Sequence, residues 1–352
     1  MINKPEDILA IASFVKETQL KYGNPAGIDP KDLSEWSRDL GLKRRGETIF
    51  YAGMYPYMGY AETALMLEYI VKKNGLEFSS LLNWLDKARY LGYEKNMKDL
   101  IRIIRSPVAR LGTVAGISSD VLKKLREIAG GVDERVNVYN DILRKGVKVL
   151  KNSGIEFAYL AEEEPDSGVV LHTFGFLDEF KDHAKNVTEK FRSLGVKRII
   201  TMDPITGIVF KSFYPSFVED FNIDVRHIVE VLKPSERKEL LGQVVYHDPC
   251  FLARHWKLTE EPRKLMAGAG YRVLDPPNNR DKTRCDGGAT EYQDPIGSVK
   301  QSQIRLNELL STGEKNVVTS CPACLMLFRV GNYFSGGDAR IIDIVELLNG
   351  GD

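Results

Sequence analysis

Cys250, Cys285, Cys321 and Cys324 are the only cysteines in the 352 residues, and the first 249 positions contain none. Cys321 and Cys324 form a Cys-Pro-Ala-Cys pair, which presents two thiolates from one turn and uses Pro322 to fix the bend. Cys285 opens the turn Cys285-Asp286-Gly287-Gly288, where Gly287 and Gly288 let backbone approach a bound group closely. A lone pair of this spacing can be a redox dithiol, and free cysteines often simply pack. Confinement of all four to one part of the chain favours a single metal site. By ligand count, four thiolates suit Zn²⁺ and an iron–sulfur cluster equally well. His247 and His255 flank Cys250 and are candidate proton donors to a leaving thiolate. The plainer alternative is that His247 bonds its own loop and His255 lies on a helix surface. Arg254 and Arg284 could bind an anionic substrate group or neutralise charge at the site.

The elements that must carry these residues repeat. Gly195–Thr206, which contains Asp203-Pro204, resembles Gly313–Cys324, which contains Cys321-Pro322. His227–Leu232 resembles Asp343–Leu348, Ile49–Met54 resembles Val245–Cys250, and Pro165–Gly168 corresponds to Arg284–Gly287. The short β-branched runs at Ile199-Ile200, Val244–Tyr246 and Val317–Thr319 read as buried parallel strands. Asp294-Pro295 reads as the capped start of a helix over Ile296–Leu310. The expected fold is α/β, with two pseudo-symmetric repeats of strand–helix units and mostly parallel sheets. A helical insertion lengthens the first repeat between Met54 and Gly154, with helices expected over Glu62–Lys73, Asp120–Ile128 and Val138–Leu150. Expected boundaries are an N-terminal arm over 1–45, a first domain without cysteine ligands over 46–235, and the cysteine-bearing domain over 236–352. The loops that follow parallel strands gather at one sheet edge, so all four sulfurs can converge there.

Lys+Arg and Asp+Glu both number 49, which gives no global attraction to nucleic acid or an anionic membrane. No run has the apolar length of a membrane span, and Met1–Asp7 lacks the layout of a signal peptide. A cytoplasmic protein with reduced thiols is expected, without nucleic-acid partners or direct membrane insertion. His172, His183 and His227 have no clustered partners and read as solvated or core residues; Tyr51, Tyr55, Tyr57 and Tyr60 read as core or as a pocket lining.

Tyr246–Cys250, Cys285–Gly288 and Ser320–Cys324 together resemble the cysteine-rich CCG domain found in the B- and D-type polypeptides of heterodisulfide reductases and in related iron–sulfur proteins. The resemblance covers most of the chain from about residue 22. It implies an iron–sulfur redox subunit that passes electrons to or from a disulfide, a thiol or a sulfur-carrier protein. It also implies a [4Fe-4S] cluster, cubane or non-cubane, on the four cysteines, with Zn²⁺ as the alternative. Three departures stand out. Cys285-Asp286-Gly287 replaces the family's paired cysteines, so Asp286 is either an oxygen ligand or a turn residue. The first repeat has Met54, Asp166, Ser167, Asp203 and Thr206 at the ligand places, and reads as scaffold, docking surface or half of a substrate cleft. No ferredoxin-type cysteine run is present, which implies a separate ferredoxin-like or flavin-containing subunit. The alternatives are an electron-transfer or assembly subunit without substrate chemistry, and a zinc-stapled structural subunit.

Overall fold

The computed structural model describes residues 5–76, 96–105 and 118–349. Two parallel sheets organise it. The first contains β1 (Thr48–Tyr51), β2 (Arg198–Thr201) and β3 (Asp224–His227) in the order β1-β2-β3. The second contains β4 (Gly242–Tyr246), β5 (Tyr271–Leu274), β6 (Asn316–Thr319) and β7 (Arg340–Asp343) in the order β5-β4-β6-β7. All pairings are parallel, with Ile49 opposite Ile199 and Val245 opposite Val317. A single bridge from Ile49 to Ala158 flanks β1 on the side where β5 flanks β4. Ala158, β1, β2 and β3 therefore mirror β5, β4, β6 and β7, the repetition expected from the sequence.

Phe50, Ile199, Val245, Val317 and Val318 are fully buried. That explains why these strands read as unbroken apolar runs: helices cover both sheet faces. The insertion in the first half is helical as expected, with helices over Tyr55–Lys73, Met97–Arg105, Ser119–Gly130 and Val132–Asn152. Its remaining segments lie outside the described residues. The helix expected to begin near Glu62 starts at Tyr55 and stops at Asn74, which caps its C-terminus. The helix over Pro295–Leu310 starts where the sequence put it, with Asp294 accepting a bond from the Gly297 N–H at 2.8 Å.

Residues from both halves share one core. Tyr69 packs on Phe334 with ring centroids 4.2 Å apart. Arg329 of the second half reaches Glu62 of the first at 3.0 Å, and Tyr139 donates to the same carboxylate at 2.6 Å. The N-terminal segment is helical over Pro5–Tyr22, and Trp36 beyond it is buried, donating to the Tyr159 hydroxyl at 3.2 Å. Among the described residues, no helix is long and apolar enough to cross a membrane.

Candidate metal centre

Each cysteine sits at the C-terminal edge of the second sheet or in a turn held against it. Beyond β4 the chain runs through His247-Asp248-Pro249 to Cys250, which opens a π-helical turn over Phe251–Trp256. Such wide turns often accompany functional sites. Beyond β6, Cys321 is the extended residue before the helix Pro322–Ser335, and Cys324 lies in that helix's first turn. Pro322 suits the first helical position because its missing N–H would have no partner there.

The Cys285 turn is built by short-range bonds. The Gly287 N–H points at Cys285 Sγ at 3.4 Å, and the Gly288 N–H donates to Asp286 Oδ1 at 3.2 Å. Gly287 has φ +106°, and a Cβ there would lie 2.9 Å from the Ser298 carbonyl oxygen. Only glycine meets both demands. Gln301 and Ser298, on the helix Pro295–Leu310, donate to the Cys285 and Gly287 carbonyls at 3.0 and 2.8 Å.

All four cysteines and Asp286 line one cavity of about 310 Å³. Its far wall comes from the first half, including Met54, Val169, Val170 and Phe213. The neighbouring Cys250 thiol holds Cys285 down to about 7. Cys250 is pushed up by Cys285 and by burial. Burial raises Cys321, and the Cys321 thiol together with burial raises Cys324 well above the ordinary range. Three of the four thiols thus hold their protons at neutral pH, and a metal that binds them must displace protons.

A buried ionic clamp fixes the geometry. Arg263 grips Asp248 with two bonds of 2.7 and 2.8 Å, and also reaches Asp275 at 2.7 Å. Asp248 Oδ2 accepts the Arg280 N–H at 2.8 Å, and its carbonyl accepts the Thr283 hydroxyl at 2.8 Å. The turn before Cys250 is thereby tied to the segment leading into Cys285. Sequence reading missed Arg263 and Arg305; they are distant in the chain and ordinary in type. It likewise gave His172 no site, yet His172 stacks on Phe213 at 4.5 Å and lines the cavity, as do Glu291 and Tyr292.

The other candidates fall in different places. His247 is fully buried, and burial together with the Arg305 charge holds its pKa well below the ordinary value. It is neutral at working pH, so the imidazolium needed for the expected proton donation does not form. Arg305 Nε donates to His247 Nδ1 at 3.2 Å, and His247 Nε2 has no hydrogen-bond partner within the protein. His255 is exposed and packs on Phe251, with centroids 5.0 Å apart. Arg284 is half-exposed, 3.8 Å from Glu308, and Arg254 donates to the Asp281 carbonyl at 3.1 Å. Neither these arginines nor His255 line the cavity. His183 donates to the Asp166 carbonyl at 2.7 Å, and buried His227 bonds the Met202 carbonyl at 3.0 Å. Tyr51, Tyr55 and Tyr57 are core residues, Tyr51 donating to the Pro165 carbonyl at 2.8 Å.

In the first half the equivalent places are filled by protein. Asp203 accepts the Met54 N–H at 3.2 Å and the Ile205 N–H at 2.9 Å, and Asp166 accepts the Gly168 N–H at 2.7 Å. A Cβ on Gly53 would come within 2.9 Å of both Asp203 and Thr206. Both aspartates act as turn and cap residues.

In the second half the donor set is of metal-binding type. Among the described residues, ligand atoms of His247, Asp286 and Cys324 lie within 4.8 Å of one another, and Asp286 Oδ2 is a second buried atom without a hydrogen-bond partner. Soft thiolates with unpaired buried polar atoms beside them fit Zn²⁺ or an iron–sulfur cluster.

A two-sheet α/β protein with a four-cysteine edge site is the class that fold and site define. The profile of the cysteine-rich CCG domain matches residues 244–329, the part of the chain that carries all four cysteines. The chain is 28% identical over 222 residues to an EtfAB:quinone oxidoreductase of Syntrophomonas wolfei, which covers 57% of this chain and 30% of that protein. It is 27% identical over 213 residues to a probable iron–sulfur-binding oxidoreductase of Bacillus subtilis, covering 57% of this chain and 30% of the relative. To the D-type polypeptide of the dihydromethanophenazine:CoB–CoM heterodisulfide reductase of Methanosarcina acetivorans it is 26% identical over 215 residues, covering 57% and 53%. The chain thus spans about a third to a half of the curated relatives it matches.

Proposed function

We propose that this chain is an iron–sulfur redox subunit of a heterodisulfide reductase-like assembly, in which Cys250, Cys285, Cys321 and Cys324 hold the cluster. The observation that carries this reading is the convergence of all four cysteines on one cavity whose opposite wall belongs to the other half of the molecule. When bound, such a cluster supplies one-electron transfer. Iron–sulfur oxidoreductases among the relatives support the cofactor, and a [4Fe-4S] type matches the number of thiolates. A ferredoxin-like or flavin-containing partner supplies or takes the electrons, because all four cysteines of this sequence are committed to the one site. Unpaired thiols suit a reducing, cytoplasmic setting.

The substrate is a disulfide, a thiol or a sulfur-carrier protein that presents an uncharged reacting end. Among the described residues, no lysine or arginine lines the cavity, so nothing there neutralises an anion. A disulfide takes two electrons and two protons to give two thiols. Glu291 lines the same cavity, its Oε2 is buried without a hydrogen-bond partner, and burial raises its pKa to about 8. It holds a proton at neutral pH and is placed to deliver it to a departing thiolate.

The test is iron, acid-labile sulfide and zinc per chain after strictly anaerobic purification. About four irons and about four sulfides with zinc near zero is the expected result. Stoichiometric zinc that persists through attempted cluster reconstitution overturns the redox reading, because Zn²⁺ exchanges no electrons.

A further inference from the structure

His172 lines the cysteine cavity from the wall that the first half contributes. It sits in the short helix Val169–Thr173 and is half-buried. Three phenyl rings hold its imidazole. Phe213 stacks on it with centroids 4.5 Å apart, and Phe180 and Phe217 meet it edge-on at 5.1 and 6.3 Å. Phe174, at the end of the same helix, packs on Tyr292 of the second half at 5.2 Å, and Tyr292 adjoins Glu291. The imidazole and the Glu291 carboxyl thus belong to two walls of one cavity that a ring pair ties together.

Rings fix the plane of the imidazole without using its nitrogens. Among the described residues, no oxygen of the protein is hydrogen-bonded to either of them. A neutral imidazole carries one N–H and an imidazolium two, so a donor is present in every tautomer and protonation state. Val169, Val170 and Ile205 beside it are apolar, and a donor set in such a wall acts more strongly than one in water. The other polar groups on the cavity are engaged. The Gly288 N–H goes to Asp286 Oδ1 at 3.2 Å, the Thr173 hydroxyl donates to the Val169 carbonyl at 2.9 Å, and the Tyr292 hydroxyl is paired with Glu291.

The two sulfurs of a disulfide have different needs as it is reduced. Two electrons from the partner subunit break the S–S bond and leave two thiolates. The proton of Glu291 turns one into a thiol; the other leaves as a thiolate and takes its proton from water after release. Until then its charge must be answered in a cavity that no lysine or arginine lines. We infer that the His172 N–H is a substrate-binding donor that holds this second sulfur as its charge develops, while Glu291 serves the first. The inference rests on the disulfide reading above and gives the cysteine-free half a direct part in it.

The test is reduction of di(hydroxyethyl) disulfide, an uncharged probe, by the electron-loaded assembly carrying wild-type chain, His172→Phe or His172→Gln. His172→Phe keeps a ring against Phe213 and removes the donor; His172→Gln gives up the ring and keeps an N–H donor. The expected result is a loss of about 10²–10³-fold in kcat/KM for His172→Phe at unchanged iron content, the usual worth of one donor to a developing charge. His172→Gln should recover most of that loss. Inhibition by mercaptoethanol, the product thiol, should weaken in His172→Phe and persist in His172→Gln. Equal kcat/KM in wild type and His172→Phe overturns the inference and leaves the disulfide reading standing. A Gln variant as slow as the Phe variant also overturns it, since the ring would then matter for packing and not for its N–H. A wild-type assembly that carries iron and reduces no disulfide overturns the disulfide reading itself, and the inference falls with it.

Discussion

Glu291 shows how much chemistry one carboxyl can acquire from its surroundings. An exposed glutamate is ionised above about pH 5. Burial is the largest influence here, the charge of Asp286 adds to it, and the pKa reaches about 8. A group in that range is well matched to proton delivery near neutrality, because it is both protonated and willing to give the proton up. If Glu291 serves the departing thiolate, reduction of a model disulfide by the electron-loaded assembly should be level below about pH 7 and decline as the pH rises through 8. Glu291→Gln should lower the rate by ~10²-fold or more, the usual worth of a positioned acid, and remove the alkaline limb. A Gln variant with the wild-type rate and profile excludes the role.

The loops and turns are where the sequence was partly readable and partly silent. Buried strands, the Asp294 cap and the proline-led turn at Cys321 follow from local rules, and each lies where those rules put it. The paired repeats were visible because β2 and β6 carry the same apolar pattern into Asp203-Pro204 and Cys321-Pro322, each one residue beyond its strand's next position. What escaped was anything made by long-range pairing. His172 meets the cysteine cavity only because two half-molecules face each other, and no spacing rule records that. The clamp on Asp248 is of the same kind: its partner Arg263 comes from the helix over Glu260–Gly268, and it joins two cysteine-bearing loops. Removing one partner of a buried pair strands the other, a cost of about 3–5 kcal/mol. Asp275 still answers part of the Arg263 charge, so Asp248→Ala should fall at the low end of that range. Denaturant unfolding measures it. The same variant should bind metal more weakly, since Cys250 and Cys285 lose their common brace; unaltered metal affinity would show that the loops hold themselves.

The molecule as a whole is held together by polar ties between its halves as well as by a shared core. Tyr55, in the first half, donates to Asp343 Oδ2 at 2.6 Å, and Asp343 Oδ1 caps the helix Ile344–Leu348 through the Val345 N–H at 3.1 Å. Burial raises the Asp343 pKa to about 7, against the pull of the Tyr55 bond. Unfolded, the same side chain titrates near 4. Between these values the native chain keeps a proton that the unfolded chain has lost. The stabilisation from this group is complete below about pH 4, and it is lost as the pH climbs through 7, at no more than ~1.4 kcal/mol per unit. Asp343→Asn carries the neutral form at every pH and can still cap the helix. Unfolding free energies of the two proteins, measured in one metallation state from pH 4 to 9, should diverge in favour of the variant up to about pH 7 and run parallel above it. Glu164 and Asp203, raised to about 8 and about 6 by burial, titrate equally in both proteins and cancel from the difference. Curves that stay parallel throughout would mean that Asp343 is ionised at low pH in the native state. The tie to Tyr55 would then be a charged one, and it would give the union of the two halves no pH dependence of its own.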